Sequence, residues 1–374
     1  GITAPSVLAG LLKAGPKGLP LRISVDRDSV PPRFPMADAQ RLAERAEGLS
    51  AGGLPVTAGP STATVPASVV RTWFRTQPAE EELKLTVDAS DAPDALAELF
   101  PEPVVEPVDA GFTVSAGRVS ITPSKAGSGC CGPGAVTAIQ SALLSRASAD
   151  TAIAVPLKSV APSRDEEAAR KLGITESIGT FTTNHAAGEP RVQNIHRISD
   201  MIRGAVIAPG ATFSVNDYVG RRTAANGFVS APVIDHEYKF TEDIGGGISQ
   251  FATTIFNAAF FAGLDIPSYY MHGIYIARYP YGRESTISFP SPDVRIRNNT
   301  PYGVLIWPTY TGTSITVTMY STKFVSGEQT NQTREMKGVC TAVTTERTRT
   351  YVDGRKTTDR FTGLYSPEEG VKCE

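Results

Sequence analysis

Histidine is scarce in this chain of 374 residues: there are four, and none precedes His185. Imidazole chemistry is therefore confined to residues 185 onward. No HExxH pattern and no cluster of aspartates occurs, so no metal is expected. The one triple-glycine loop lacks the lysine of a phosphate-binding loop, and no cofactor is expected either. Excess charge is missing too. A formal net charge of -2 gives no electrostatic reason for nucleic acid or an anionic membrane surface as partner. Nor is there a long uninterrupted apolar run: the longest carries a polar strip and is too short to span a bilayer. Membrane attachment is expected only through an N-terminal anchor or export segment trimmed upstream of Gly1.

What is present is ordinary for a globular protein, with 41% hydrophobic and 20% charged residues. The length exceeds what a single core supports, so several domains are expected. Four cysteines are arranged as an adjacent pair, Cys130 and Cys131, and a pair bracketing the tail, Cys340 and Cys373. Of the three pairings, Cys340–Cys373 with a vicinal Cys130–Cys131 bridge is the simplest. A bridge closing the tail loop contributes about 3–4 kcal/mol in the chain-entropy model. Such bridges favour an exported protein.

The chain is organised around Gly245-Gly246-Gly247-Ile248-Ser249-Gln250 and the run that follows to Leu264. Three glycines allow positive φ and close backbone approach. Residues 248–262 contain neither Gly nor Pro and read as a buried helix. Its exception is a polar strip of Ser249, Gln250, Thr253, Thr254 and Asn257. Gly245, Gly246, Gly247, Gln250 and Thr253 are accordingly candidate ligand-binding residues. Ser249 at the helix start is either a cap or a nucleophile favoured by the helix dipole. His272 is a candidate base, or else a hydrogen-bonded structural histidine, and Glu284 could orient it. Arg278 and Arg283 offer forked donors suited to a carboxylate, with surface salt bridges as the alternative.

The first 170 residues read as α/β material with an internal echo at about sixty residues. A hairpin over 54–65, a helix from Pro66 through Phe74, a strand over 83–87 and a helix over 94–100 form the first copy. A hairpin over 112–122, a helix over 134–144, a strand over 152–157 and a helix over 164–172 form the second. Further elements precede them: helices over 5–12 and 37–49 and a strand near 21–25. Trp73 and Phe74 are expected in the core. From residue 285 onward the pattern is β, with Asp353-Gly354 as a hairpin turn. The tail strands carry few large apolar residues and cannot build a core alone.

The ordered segments PGATFSVNDYVG, RRTAANGF, SAPVI, GGGISQFATTIFNAAFFAGL, ARYPYGREST and DVRIRNNTPY resemble the VanW-like family over about 174–325. That family takes its name from a gene associated with vancomycin-resistance clusters. The duplicated units are similar to the peptidoglycan-binding repeats that often precede this domain, through GRVSITPSKAG and AIAVPLKSVAP. Many family members have cysteine where this chain has Ser249, which weakens a nucleophilic role here. The resemblance implies an extracytoplasmic protein of a Gram-positive or actinobacterial cell wall or surface.

The expected fold class is α+β and multidomain. Its parts are an N-terminal repeat over 1–110, a second over 111–173, a VanW-like domain over 174–325 and a disulfide-tied hairpin over 326–374. The leading expectation for function is binding of peptidoglycan or another wall polymer. The alternatives are a hydrolase or acyl/peptidyl transferase acting on wall peptide through Ser249, His272 and Glu284, and a scaffold for another envelope protein.

Overall fold

The computed structural model describes all residues except 1, 16–21, 26–31, 102, 147–150, 235–239, 369–370, 372 and 374. The fold is α+β. By contacts the chain divides into two compact units, 1–108 with 126–161 and 109–125 with 162–374. These bounds differ from the divisions expected at 110/111, 173/174 and 325/326. Leu21 lies outside the described residues, and 22–25 carry no regular structure.

In the first unit, Leu54–Ala58 pairs antiparallel with Ser61–Val65 and parallel with Ile153–Ala154. Leu54, Val56 and Ala58 alternate inward and are fully buried, the period of two that a one-sided sheet requires. Their core is completed by Leu96, Ile139, Leu143 and Trp73. Trp73 is a core residue, as expected, but its helix ends at Thr72. Phe74 instead opens the strand Phe74–Pro78, paired with Leu83–Val87. Here the β preference of an aromatic residue in a half-buried hairpin prevails over helix continuation. The Cys130–Cys131 bridge is formed in this unit.

The second copy of the echo contains its expected elements but is not one body. Its hairpin, Gly111–Ser115 with Arg118–Thr122, belongs to the second unit, where Phe112, Val114 and Ile121 pack with Leu172, Ile174 and Leu305. Ile153–Ala154 instead pairs with Leu54–Ala58 in the first unit.

The second unit is built on an antiparallel sheet in the order Glu176–Asn184, Ser314–Ser321, Val304–Tyr310, Val206–Ile207. The glycine-led helix, Ser249–Phe261, packs across it. Gly179 permits this approach, because a Cβ there would meet the backbone of Ala258 and Ala262. A second helix, Pro190–Ile202, turns Ile195, Ile198 and Ile202 into the same core.

The tail is a meander of Val325–Lys337, Cys340–Tyr351 and Lys356–Tyr365, one strand more than the expected hairpin. The extra strand, polar over most of its length, lacks the apolar alternation by which strands are recognised. Asp353-Gly354 makes the expected turn, and the Cys340–Cys373 bridge is formed, with Cα atoms 5.8 Å apart. This sheet has no core of its own; it borrows one from the end of the glycine-led helix. Phe361 joins Phe256 and Phe260. Arg347, wholly buried, forks onto Asp359 at 2.9 and 2.6 Å and donates to Phe260 O at 3.0 Å. A cation at a helix C-terminus complements the helix dipole.

Candidate functional site

The glycine loop is tight because three surfaces meet there. Gly245 and Gly247 have φ of 89° and 84°, and the stems of Arg222 and Arg191 occupy the space their Cβ atoms would need. A Cβ on Gly246 would collide with the carbonyl of Ala231. The loop's N–H groups are partly engaged: Gly245 donates to Val229 O at 3.0 Å and Gly246 to Asp243 O at 3.1 Å. Buried Asn194 locks the arrangement, donating to Val229 O and Gly246 O and accepting from Val229 N. The glycines thus serve close packing in this structure.

Ser249 is the first helical residue rather than the cap, since Ile248 before it is already helical (φ -65°) and no side chain caps this end. Its hydroxyl lies 3.2 Å from that of Thr286 and accepts from Ile287 N at 3.4 Å. Thr253 and Asn257 continue the same row of the helix. Thr253 Oγ1 accepts from Ser285 N and donates to Ser285 O, both at 3.1 Å. Asn257 donates to Arg283 O at 2.8 Å and accepts from the Arg283 guanidinium at 3.2 Å. The irregular segment 283–287 has no strand neighbour on this side, and the row i, i+4, i+8 supplies its hydrogen bonds instead. A second row faces the sheet. Gln250 donates to Thr183 Oγ1 and Asn184 O and accepts from Arg191 at 2.7 Å, while Thr254 meets Thr183 at 2.7 Å. The polar strip is therefore internally satisfied, as buried polar groups require.

On its other side the segment meets His272. Thr286 N donates to Tyr270 O at 2.6 Å and His272 N to Glu284 Oε1 at 3.1 Å, while His272 Nδ1 pairs with Glu284 Oε2. Glu284 is wholly buried and His272 nearly so. Two tyrosines enclose the pair. Tyr365, carried by the tail sheet, accepts from Gly282 N at 3.2 Å and donates to Met271 Sδ at 3.5 Å; burial and then the Glu284 carboxylate push its phenol upward. The Tyr279 ring stacks on His272 at 5.6 Å and 27°. Burial pushes the Tyr279 phenol up to about 12, with Arg278 and Arg191 pulling it back.

The two candidate arginines part company. Arg278 is exposed, its guanidinium 5.9 Å over the Tyr279 ring. Arg283 is half-buried among Phe261, Phe260 and Phe181 at 5.0–5.9 Å, and burial lowers its pKa. Among the described residues neither forms a salt bridge to a carboxylate. Glu284 and His272 meet, and Arg278 reaches them through Tyr279. Ser249 adjoins the same segment at Thr286, yet among the described residues no hydrogen bond joins it to His272.

Residues not singled out from the sequence include Arg191, Asn194, Tyr279 and Tyr365. Tyr279 stands in the quoted motif ARYPYGREST, whereas Tyr365 arrives from 83 residues beyond Gly282 without a local signal.

Residues 190–320 match the family described as VanW like protein. The segment spans Arg191, the glycine loop, His272 and Glu284, and stops short of Tyr365. The uncharacterized protein YoaR of Bacillus subtilis (strain 168) is 34% identical over 175 residues, 46% of this chain and 57% of that protein. The matched region thus spans little more than half the length of that curated relative. No solved structure matches. The resemblance to the VanW-like family is thus carried by the central region of the chain.

Proposed function

We propose that this is an exported, cell-envelope-associated bacterial protein whose VanW-like domain binds peptidoglycan or a related wall polymer. The observation that carries the proposal is Arg278: exposed, over the ring of Tyr279 beside the buried His272–Glu284 pair, and among the described residues without a carboxylate of its own. Such a guanidinium has donors left for a carboxylate on a wall peptide or an acidic sugar. The match of residues 190–320 to the VanW-like family and the two disulfides support the compartment. Incubation with purified cell wall, followed by sedimentation, tests it. Retention that weakens with salt is expected; no retention at any salt or pH overturns it.

A second reading rests on His272 itself. Its Nδ1 is held by a buried carboxylate, the support that orients an imidazole base. The Ser249 part of the expected constellation has other partners, so any activity rests on His272 and Glu284 acting on a bound substrate or water. Release of soluble fragments from purified wall by the wild type, abolished in His272→Gln with retention intact, would favour the enzyme. Equal release by both proteins excludes it.

A further inference from the structure

The loop 273–282 carries a feature that none of the preceding roles uses. Tyr275 is 43% exposed, yet its ring is fixed. Its hydroxyl donates to Tyr279 O at 3.2 Å, and its ring meets Tyr281 edge to face at 4.6 Å and 89° and Tyr365 at 6.0 Å and 79°. Tyr281 is itself stacked on Tyr365 at 4.9 Å, with Arg334 4.4 Å over its ring. The loop backbone is pinned from the tail sheet and the residues just after it: Gln332 donates to Tyr281 O at 2.7 Å, Thr345 to Gly282 O at 2.8 Å, and Ser366 N to Gly273 O at 2.7 Å. An aromatic ring that is exposed while its neighbours hold it in place loses little freedom when a ligand covers it.

Two exposed guanidiniums lie over residues that Tyr275 touches, Arg278 over Tyr279 and Arg334 over Tyr281, and among the described residues neither has a carboxylate partner. Tyr275 also touches both residues that enclose the His272–Glu284 pair, through Tyr279 O and the Tyr365 ring. We propose that the loop 273–282 is a subsite for a carboxylate-bearing glycan: the ring face of Tyr275 takes a pyranose, and Arg278 takes the carboxylate. A pyranose offers an apolar C–H face bordered by hydroxyls, which suits an amphipathic ring set among polar groups. Forked donation from arginine adds selectivity for the charged sugar. The inference rests on the wall-binding reading and deepens it. Stacked rings and cations also suit single-stranded nucleic acid, which the net charge of -2 disfavours.

The test uses the full chain and the variants Tyr275→Ala, Tyr275→Phe and Arg278→Gln. Each is titrated with a carboxylated disaccharide of N-acetylglucosamine and N-acetylmuramic acid, with neutral di-N-acetylchitobiose, and with oligothymidylate. Retention on purified wall is measured in parallel. The wild type is expected to prefer the carboxylated sugar, and Arg278→Gln to lose that preference. Tyr275→Ala should weaken both sugars by about tenfold, the scale of one good anchor, while Tyr275→Phe keeps most of the binding. Wild-type affinity for both sugars in Tyr275→Ala and Arg278→Gln, with the wall still retained, overturns the subsite and leaves wall binding standing. Failure of the wild type on both sugars and on wall overturns both. Tyr275-dependent binding of oligothymidylate in preference to either sugar also overturns the subsite.

Discussion

The glycine-led helix packs on the short segment 283–287 and the loop 273–282 runs directly into it, and the two use polarity in opposite ways. On the helix, Ser249, Gln250, Thr253 and Asn257 all have partners within the protein. On the loop, Tyr275 and Arg278 are held in place by neighbours but keep exposed surface. Polar residues in a buried helix look like a site in sequence, yet here they replace a missing strand. A ring and a cation in an irregular loop look like surface, yet here they are fixed and open. On the proposed reading, the helix serves stability and the loop serves recognition.

The comparison can be broken at its support first. Arg347 ties the tail sheet to the helix end, and Arg347→Ala leaves Asp359 without its fork. Asp359 is partly exposed and keeps Arg349 at 3.6 Å, so a loss of about 1.5–3 kcal/mol in denaturant-induced unfolding is expected, as for hydrogen bonds to a charged group. A loss below 1 kcal/mol would show that the sheet does not depend on this tie.

The next effect is alkaline. The folded state favours the neutral Tyr279 phenol, so its contribution is full below pH 10 and is lost as pH rises from about 10 toward about 12. Urea unfolding should show stability falling by up to about 3 kcal/mol over that range, with a shallower fall in Tyr279→Phe. Identical slopes for the two proteins would contradict the assignment.

Smaller effects sharpen the contrast on the helix itself. Thr253→Val leaves both backbone groups of Ser285 short of a partner and should cost about 1–3 kcal/mol. Ser249→Ala removes the hydroxyl contacts to Thr286 and to Ile287 N, both partly buried and long, and should cost about 1 kcal/mol. Neither should change retention on wall. A Ser249→Ala protein of native stability that no longer binds or turns over wall would return Ser249 to the chemistry.

Much of this architecture is legible locally. The absence of Gly and Pro after Ile248 marks the helix, which runs Ser249–Phe261. Alternation marks the strands over 54–65, 112–122 and 314–321. The approach of His272 to Glu284 follows from two nearby extended segments, and the structure pairs them. What is not legible comes from far along the chain. Tyr365 and Arg347 reach the site and the helix end through a strand meander whose packing partners lie elsewhere. Ser249 reads as a cap because serine prefers that position, but Ile248 takes the turn and Thr286 the hydroxyl. Arg283 reads like Arg278 until the phenylalanines around it are seen.

The most direct test compares Thr253→Val with Arg278→Gln, measuring urea stability and retention on purified wall for each. The account predicts that Thr253→Val is less stable and fully retained, and that Arg278→Gln has native stability and markedly weaker retention. Wall binding lost in folded Thr253→Val but kept in Arg278→Gln would contradict it and place recognition on the helix.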